Sequence, residues 1–374
     1  MEAKKHPDLN PSPRILLGPG PSMVSPRVLR AMATPLLGHL DPQFLELMSN
    51  VQDMLRYVFQ TQNELTIPIS GTGSAGMEAA LCNFIEPGDR VLVAIMGYFG
   101  ERMVDMAGRY GAVVDRLERP WGQVFDPAEI AAALRGRNYK LVALVHAETS
   151  TGARQPGIAE IAAAAHANSA LLVLDTVTSL GGLPVEVDAW DADVVYSGTQ
   201  KCLSAPPGLA PITVSPRARE ALRARRTPVA NWYLDLSMVE KYWGKERTYH
   251  HTAPITMNYA LYEALRLVAE EGLEARFARH RLNAELLWKG LEALDLPLLV
   301  AAEHRLPSLS TPQISPAVDD MTVRRRLLEE YNIEIAGGFG PLKGKVWRIG
   351  LMGFSSRREN VAVLLAALEQ ILRS

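Results

Sequence analysis

Three groups of residues in this chain have types and spacing that could do chemistry together. Residues 196–208 read YSGTQKCLSAPPG, and Lys201 stands among small and apolar residues just past ADVVYS (192–197), a strand-like run. An ammonium at a strand end in an apolar, Gly/Pro-rich setting is costly unless it is paired or chemically used. In LLVLDTVTSLGG (171–182), Asp175 ends an apolar strand. Ligands gather at the carboxyl ends of strands in open α/β sheets, and a carboxylate there needs a cation or several donors. Alone, Lys201 also reads as a loop lysine and Asp175 as the cap of a turn.

The third group is SGTGSAG (70–76), where Gly71, Gly73 and Gly76 match G-x-G-x-x-G between a strand and a helix. A dinucleotide site would want an acidic residue at the end of the next strand. That strand ends Ala94, Ile95, Met96, Gly97, with no carboxylate. No G-K-[ST] occurs either, since Gly344–Lys345 is followed by Val346. What remains is a glycine turn whose N–H groups and helix dipole, with Thr72 and Ser74, suit one phosphate. It reads equally as a capped helix after a tight turn. A phosphate cradle, a strand-end Asp and a strand-end Lys are together what pyridoxal 5′-phosphate (PLP) requires: an anchor, a partner for the pyridine nitrogen, and an amine for a Schiff base.

The elements that position these groups follow from the apolar pattern. TIPIS (66–70), RVLVAI (90–95), KLVALVH (140–146), ALLVLDT (170–176), VVYS (194–197) and PITVS (211–215) alternate with helical stretches such as 74–85, 101–109, 128–135 and 158–167. Near-continuous apolar strands separated by helices imply a mostly parallel sheet covered on both faces. From about 257 the chain turns helical. IEIAG (333–337) and VWRIGL (346–351) then flank GGFGPLKGK, and a helix over 357–372 follows. The expectation is an N-terminal arm over 1–14, a large α/β domain over 15–272 and a smaller α+β domain over 273–374.

Composition bounds the rest. Over 374 residues, 39 basic and 41 acidic side chains leave a net charge of −2, which gives no support for a nucleic-acid or membrane-surface partner. Cys82 and Cys202 form no CxxC or disulfide framework, which fits a reducing compartment. The polar, Pro-rich start lacks a signal-peptide core, and no apolar run reaches membrane-spanning length. A cytoplasmic protein is expected.

GPGPS (18–22), SGTGSAGMEAAL, HAETSTGARQP (146–156), LDTVTSLGG, YSGTQKCLSAPPG, YHHTAP (249–254) and GKVWRIGLMG (344–353) resemble the class V, fold-type I aminotransferases. The likeness runs from about residue 14 to the end and is closest to the alanine–glyoxylate / serine–pyruvate aminotransferase family. It implies ping-pong transamination of alanine or serine with glyoxylate or pyruvate. Lys201 would carry the PLP aldehyde as an aldimine, and Asp175 would pair with the ring nitrogen. Thr72, Gly73, Ser74 and Gln200 would hold the phosphate, with Thr149 near the ring's phenolic oxygen. Arg348 would clamp the substrate carboxylate, helped by backbone around Gly20; its planar fork matches a carboxylate. Tyr249 and Thr252 would reach the neighbouring subunit's phosphate, making a homodimer with interfacial sites. Phe99 stands where the family often has Trp, so stacking persists without an indole N–H. Thr149 stands where Ser is common, and Ser74 where His is.

Other readings weigh less. His250 and His251 point opposite ways if they lie on a strand, and no third metal ligand accompanies them. His39 would lie near the partner's site. Cys202 directly follows Lys201 and so differs from the mobile-loop cysteine of desulfurases. RRR (324–326) is a charged helix face. Within the fold, kynurenine-type and aminoethylphosphonate transaminases are the rivals. A silent PLP-fold binding protein and a nucleotide-dependent oxidoreductase are the rivals outside it.

Overall fold

The computed structural model describes Lys4 and residues 6–373. Lys4 and His6–Arg14, part of the expected arm, contain no helix or strand; residues 1–3 and 5 of that arm, and Ser374, lie outside the described residues. The strands, in chain order, are β1 (Ile15–Leu16), β2 (Leu65–Ser70), β3 (Arg90–Ile95), β4 (Val113–Glu118), β5 (Leu141–Val145), β6 (Ala147–Glu148), β7 (Ala153–Arg154), β8 (Leu171–Asp175), β9 (Val194–Tyr196), β10 (Leu209–Val214), β11 (Leu309–Ser310), β12 (Ile333–Glu334), β13 (Ala336–Gly337) and β14 (Trp347–Gly350). The first four helices are α1 (Pro26–Met32), α2 (Pro42–Phe59), α3 (Gly73–Cys82) and α4 (Tyr98–Arg109).

Seven strands form the central sheet, in the order β2-β10-β9-β8-β5-β3-β4. β10 runs antiparallel to both its neighbours, and the other pairs are parallel. β5, β8, β9 and β10 are buried at every residue, because helices cover both faces of a sheet built from Val, Leu and Ile. Register aligns Val145 with Asp175 and Asp175 with Tyr196, so these residues share one row at the carboxyl edge. β2 ends at Ser70 and hands the chain to the glycine turn before α3. The glycine turn, Asp175 and Lys201 thus converge on one edge.

A second core surrounds the three-stranded sheet β11-β14-β13 and is built from Trp347, Ile349 and Leu351 with apolar faces of the helices Leu273–Ala293, Asp320–Tyr331 and Arg358–Arg373. Leu17 is fully buried in this core, and β1 pairs in parallel with β12 through Ile15 and Ile333. Residues 15–17 therefore pack with the C-terminal core although they stand at the head of the segment 15–272. The run 333–337 also differs from a single strand. It divides at Ile335 into β12, paired with β1, and β13, paired with β14, because the buried Ile335 turns the chain between two partners. Among the elements unread in the sequence are α2 and β4. α2 starts at Asp41, whose carboxylate accepts from the Gln43 N–H, with Pro42 in the first turn. β4 is an edge strand of mixed charge, VVDRLE, outside any apolar run. Among the described residues no helix is long and apolar enough to cross a membrane.

Candidate active site

The glycine turn leaves polar groups for a ligand. Gly71 has φ +142°, and a Cβ there would lie 2.5 Å from that of Ala75. Thr72 occupies the N-cap of α3 but its side chain makes no capping bond. The N–H groups of Gly73 and Ser74 find no protein acceptor, so this helix start keeps its donors unspent. Arg102, on α4, donates from Nη1 to Ser74 Oγ at 3.0 Å and brings a cation to the same point. Opposite, Gln200 Oε1 is buried without a partner. Gly198 lets that side chain close on the turn: its Cβ would stand 2.9 Å from Gln200 Oε1 and 3.3 Å from Gly73 Cα.

Asp175 is buried at the end of β8. Its Oδ1 accepts from Val177 N–H and its Oδ2 from Tyr196 O–H, each at 2.8 Å. Burial pushes its carboxyl up to about 6, with those two bonds and the Lys201 charge acting the other way. A cation at the free side of this carboxylate, such as a protonated pyridine nitrogen, would oppose that shift.

Lys201 is 9% exposed and its Nζ donates to the Pro19 carbonyl. Burial lowers its ammonium to about 8, and the Arg348 charge adds to the effect. The segment around Gly20 lies directly on this side chain. Gly20 has φ +116°, and a Cβ there would meet Nζ at 2.7 Å. Ser22 ties the segment down by donating to the Lys201 carbonyl (2.7 Å) and, through its N–H, to the Gln200 carbonyl (2.8 Å).

A cavity of about 200 Å³ joins these groups. Thr72, Gly73, Ser74, Phe99, Thr149, Asp175, Gln200 and Lys201, all expected from the sequence, line it. Thr149 is buried and hydrogen-bonded to the Thr178 hydroxyl. Gly20 abuts the cavity through Lys201. Arg348 approaches through Phe339, which lines the cavity and carries the guanidinium 3.9 Å above its ring centroid. Arg348 is 4% exposed, donates from Nε to the Gly337 carbonyl at 2.8 Å, and is lowered by burial to about 10. Tyr249 and Thr252 are not brought to the cavity of their own chain; both are exposed at the surface. His39 packs beside Tyr249 with tilted rings, centroids 5.1 Å apart. His250 and His251 bond to each other through their Nδ1 atoms at 2.7 Å, and His251 Nε2 bonds to Ser70 Oγ.

Sequence reading missed four residues here: Arg102, Glu148, Tyr196 and Phe339. Tyr196 ends β9, and the row it shares with Asp175 is set by strand pairing across the sheet. Arg102 follows Phe99 by one helical turn, a spacing that would have shown it on the same face. Larger clefts, among them two of about 650 and 820 Å³, lie elsewhere. The first is lined by Arg276 and Arg279, both paired with Glu271, and by the exposed Arg357, Arg358 and Glu359.

The unspent donors of the turn, the unpartnered carboxamide, the aromatic wall and the carboxylate and amine at opposite ends fit a phosphate-bearing pyridine aldehyde. Comparison with known proteins agrees. The model of the family Aminotransferase class-V matches residues 15–353. The (S)-ureidoglycine–glyoxylate transaminase of Bacillus subtilis is 45% identical over 96% of this chain and 90% of its own length. The alanine–glyoxylate aminotransferase of Drosophila melanogaster is 41% identical over 99% and 95%. The crystal structure of alanine–glyoxylate aminotransferase from Nostoc sp. superposes with a TM-score of 0.96 at 56% identity, over 99% of this chain and 98% of that one. From fold, cavity and relatives alike, the chain belongs to the class V, PLP-dependent aminotransferases.

Proposed function

We propose that this enzyme transfers the amino group of a small amino acid, alanine or serine, to glyoxylate or pyruvate in two half-reactions. The observation that carries the reading is the single cavity in which Lys201, Asp175 and the glycine turn meet beneath Phe339 and Arg348. In this reading Gly73, Ser74, Thr72 and Gln200 hold the phosphate of PLP, Phe99 faces its ring, Thr149 its phenolic oxygen and Asp175 its nitrogen. When bound, the group supplies an aldehyde to carry the amino group and an electron sink for the substrate's Cα.

The chain's own residues do the rest. Arg348 has Nη1 and Nη2 free of protein acceptors and offers them to the substrate carboxylate. Lys201 Nζ, lowered to about 8, is neutral in part near physiological pH, so it can take the proton from the substrate's Cα and return it. The buried Asp175 carboxylate, held by Tyr196 and Val177, cannot swing away from the position where positive charge must be kept. Phe339 and Phe99 give the cavity its aromatic lining.

A homodimer is part of the proposal. Tyr249 and Trp232 are 55% and 59% exposed and stand away from the chain's own cavity, which supports a role for Tyr249 and Thr252 at a neighbour's site. Both cysteines are free and buried, which supports a reducing, cytoplasmic setting. A second donor is favoured by one observation: the relative at 45% identity is a ureidoglycine–glyoxylate transaminase. The deciding experiment mixes the yellow holoenzyme with alanine, serine, glycine, kynurenine and (S)-ureidoglycine in turn. Alanine or serine should bleach the visible absorption fastest. Fastest bleaching by ureidoglycine would replace the donor assignment, and bleaching by none would end the proposal.

A further inference from the structure

α4 begins without a cap of its own. Gly97 holds the N-cap position and has no side chain to offer the first free N–H groups. Those groups are nonetheless satisfied from the end of β6 and the turn that follows it. Ser150 Oγ accepts from the Tyr98 N–H at 2.9 Å, and Glu148 Oε2 accepts from the Phe99 N–H at 3.3 Å. Glu148 Oε1 in turn accepts from the Ser150 N–H at 3.0 Å and from its hydroxyl at 2.6 Å. Glu148 is fully buried, and every hydrogen bond of its carboxylate is one that it accepts, a pattern suited to the anion. Gly97 is the residue the arrangement needs. A Cβ there would fall 2.5 Å from both Glu148 Cδ and Ser150 Oγ.

The helix start fixed in this way faces the cavity. Its second residue, Phe99, lines the cavity, and Arg102, one turn on, lies 4.9 Å over the Phe99 ring while holding Ser74 of the phosphate turn. The residue that follows Glu148, Thr149, is another lining residue. A buried carboxylate remote in sequence therefore sets the relation between two walls of the site.

We propose that Glu148, with Ser150, is a positioning residue for the reaction: it caps α4 from outside and thereby holds Phe99 and Arg102 against the cofactor. The inference rests on the PLP reading of the cavity given above. Burial pushes the Glu148 carboxyl up to about 7, while the bonds from Ser150 and Phe99 act the other way and favour the anion.

The test compares wild-type holoenzyme with Glu148→Gln and Ser150→Ala. Glutamine keeps the size but must present an NH₂ to one of the two donor sets, leaving it unsatisfied. PLP affinity of the apoenzyme should fall about three- to tenfold in Glu148→Gln, the loss expected from a misplaced aromatic wall. The visible circular dichroism of the bound cofactor should weaken alongside it. Ser150→Ala should shift both readouts in the same direction and by less. Thermal unfolding of each apoenzyme separates positioning from folding: the affinity loss should persist where the midpoint is near wild type. If Glu148→Gln does not fold, Ser150→Ala decides. Wild-type affinity and dichroism in the folded variants would overturn the inference alone. A wild-type chain that takes up no PLP would overturn the functional reading and this inference with it.

Discussion

Replacing Lys201 by methionine should abolish turnover and stabilise the apoenzyme. Burial and the Arg348 charge lower the ammonium from its ordinary 10.5 to about 8. At about 1.4 kcal/mol per tenfold change in proton affinity, that difference amounts to about 3 kcal/mol of cost for holding the charge in the fold. The sign follows from linkage: the unfolded chain binds this proton more tightly, so stability rises with pH between about 8 and 10.5. Below that window the full cost is present, and above it none. Methionine keeps the stem, removes the charge and forfeits the Nζ bond to the Pro19 carbonyl, a loss of about 1 kcal/mol. The net gain is about 2 kcal/mol at pH 7, an example of stability given up at a reactive site. Urea unfolding of both apoenzymes from pH 7 to pH 10.5 measures it. The variant's advantage should shrink steadily as pH rises. An advantage that is absent at pH 7, or that does not change with pH, would refute the reasoning.

Asp175→Asn should leave PLP bound yet lower turnover about a hundredfold or more, the scale of losing one preorganised electrostatic partner; single-turnover kinetics on the holoenzyme would show it. Arg348→Ala should raise KM for alanine about ten- to hundredfold through the lost charge-assisted fork, with Arg348→Lys intermediate; an unchanged KM would remove the clamp role. Gly20→Ala should cost about 1–3 kcal/mol of strain at φ +116°, and its Cβ should displace Lys201 Nζ, so slower PLP uptake by the apoenzyme is expected in a stopped-flow assay.

What could be read from the sequence was whatever contrasted with its surroundings. Lys201 and Asp175 are charges at the ends of apolar strands, and the glycine turn interrupts a strand–helix passage, so local chemistry announced all three. The mostly parallel sheet was legible because β5 is wholly apolar and β8 is apolar up to Asp175. Glu148 and Arg102 stood in ordinary polar company, and their meaning comes from partners far along the chain, Phe99 for one and Ser74 for the other. β4 escaped because an edge strand tolerates Arg116 and Glu118 at exposed positions and a half-buried Asp115 paired with Arg90, which breaks the apolar pattern. α2 left a signal in Asp41–Pro42 that was not used. Leu17 joins the C-terminal core through a pairing between the two ends of the chain, which no local pattern encodes.

The most direct measurement is to reduce the PLP-loaded enzyme with borohydride, digest it and locate the pyridoxyl mass by tandem mass spectrometry. The account predicts one labelled lysine, Lys201, with the label lost in Lys201→Met. A label on any other lysine, or a reduced enzyme that carries none, would contradict it.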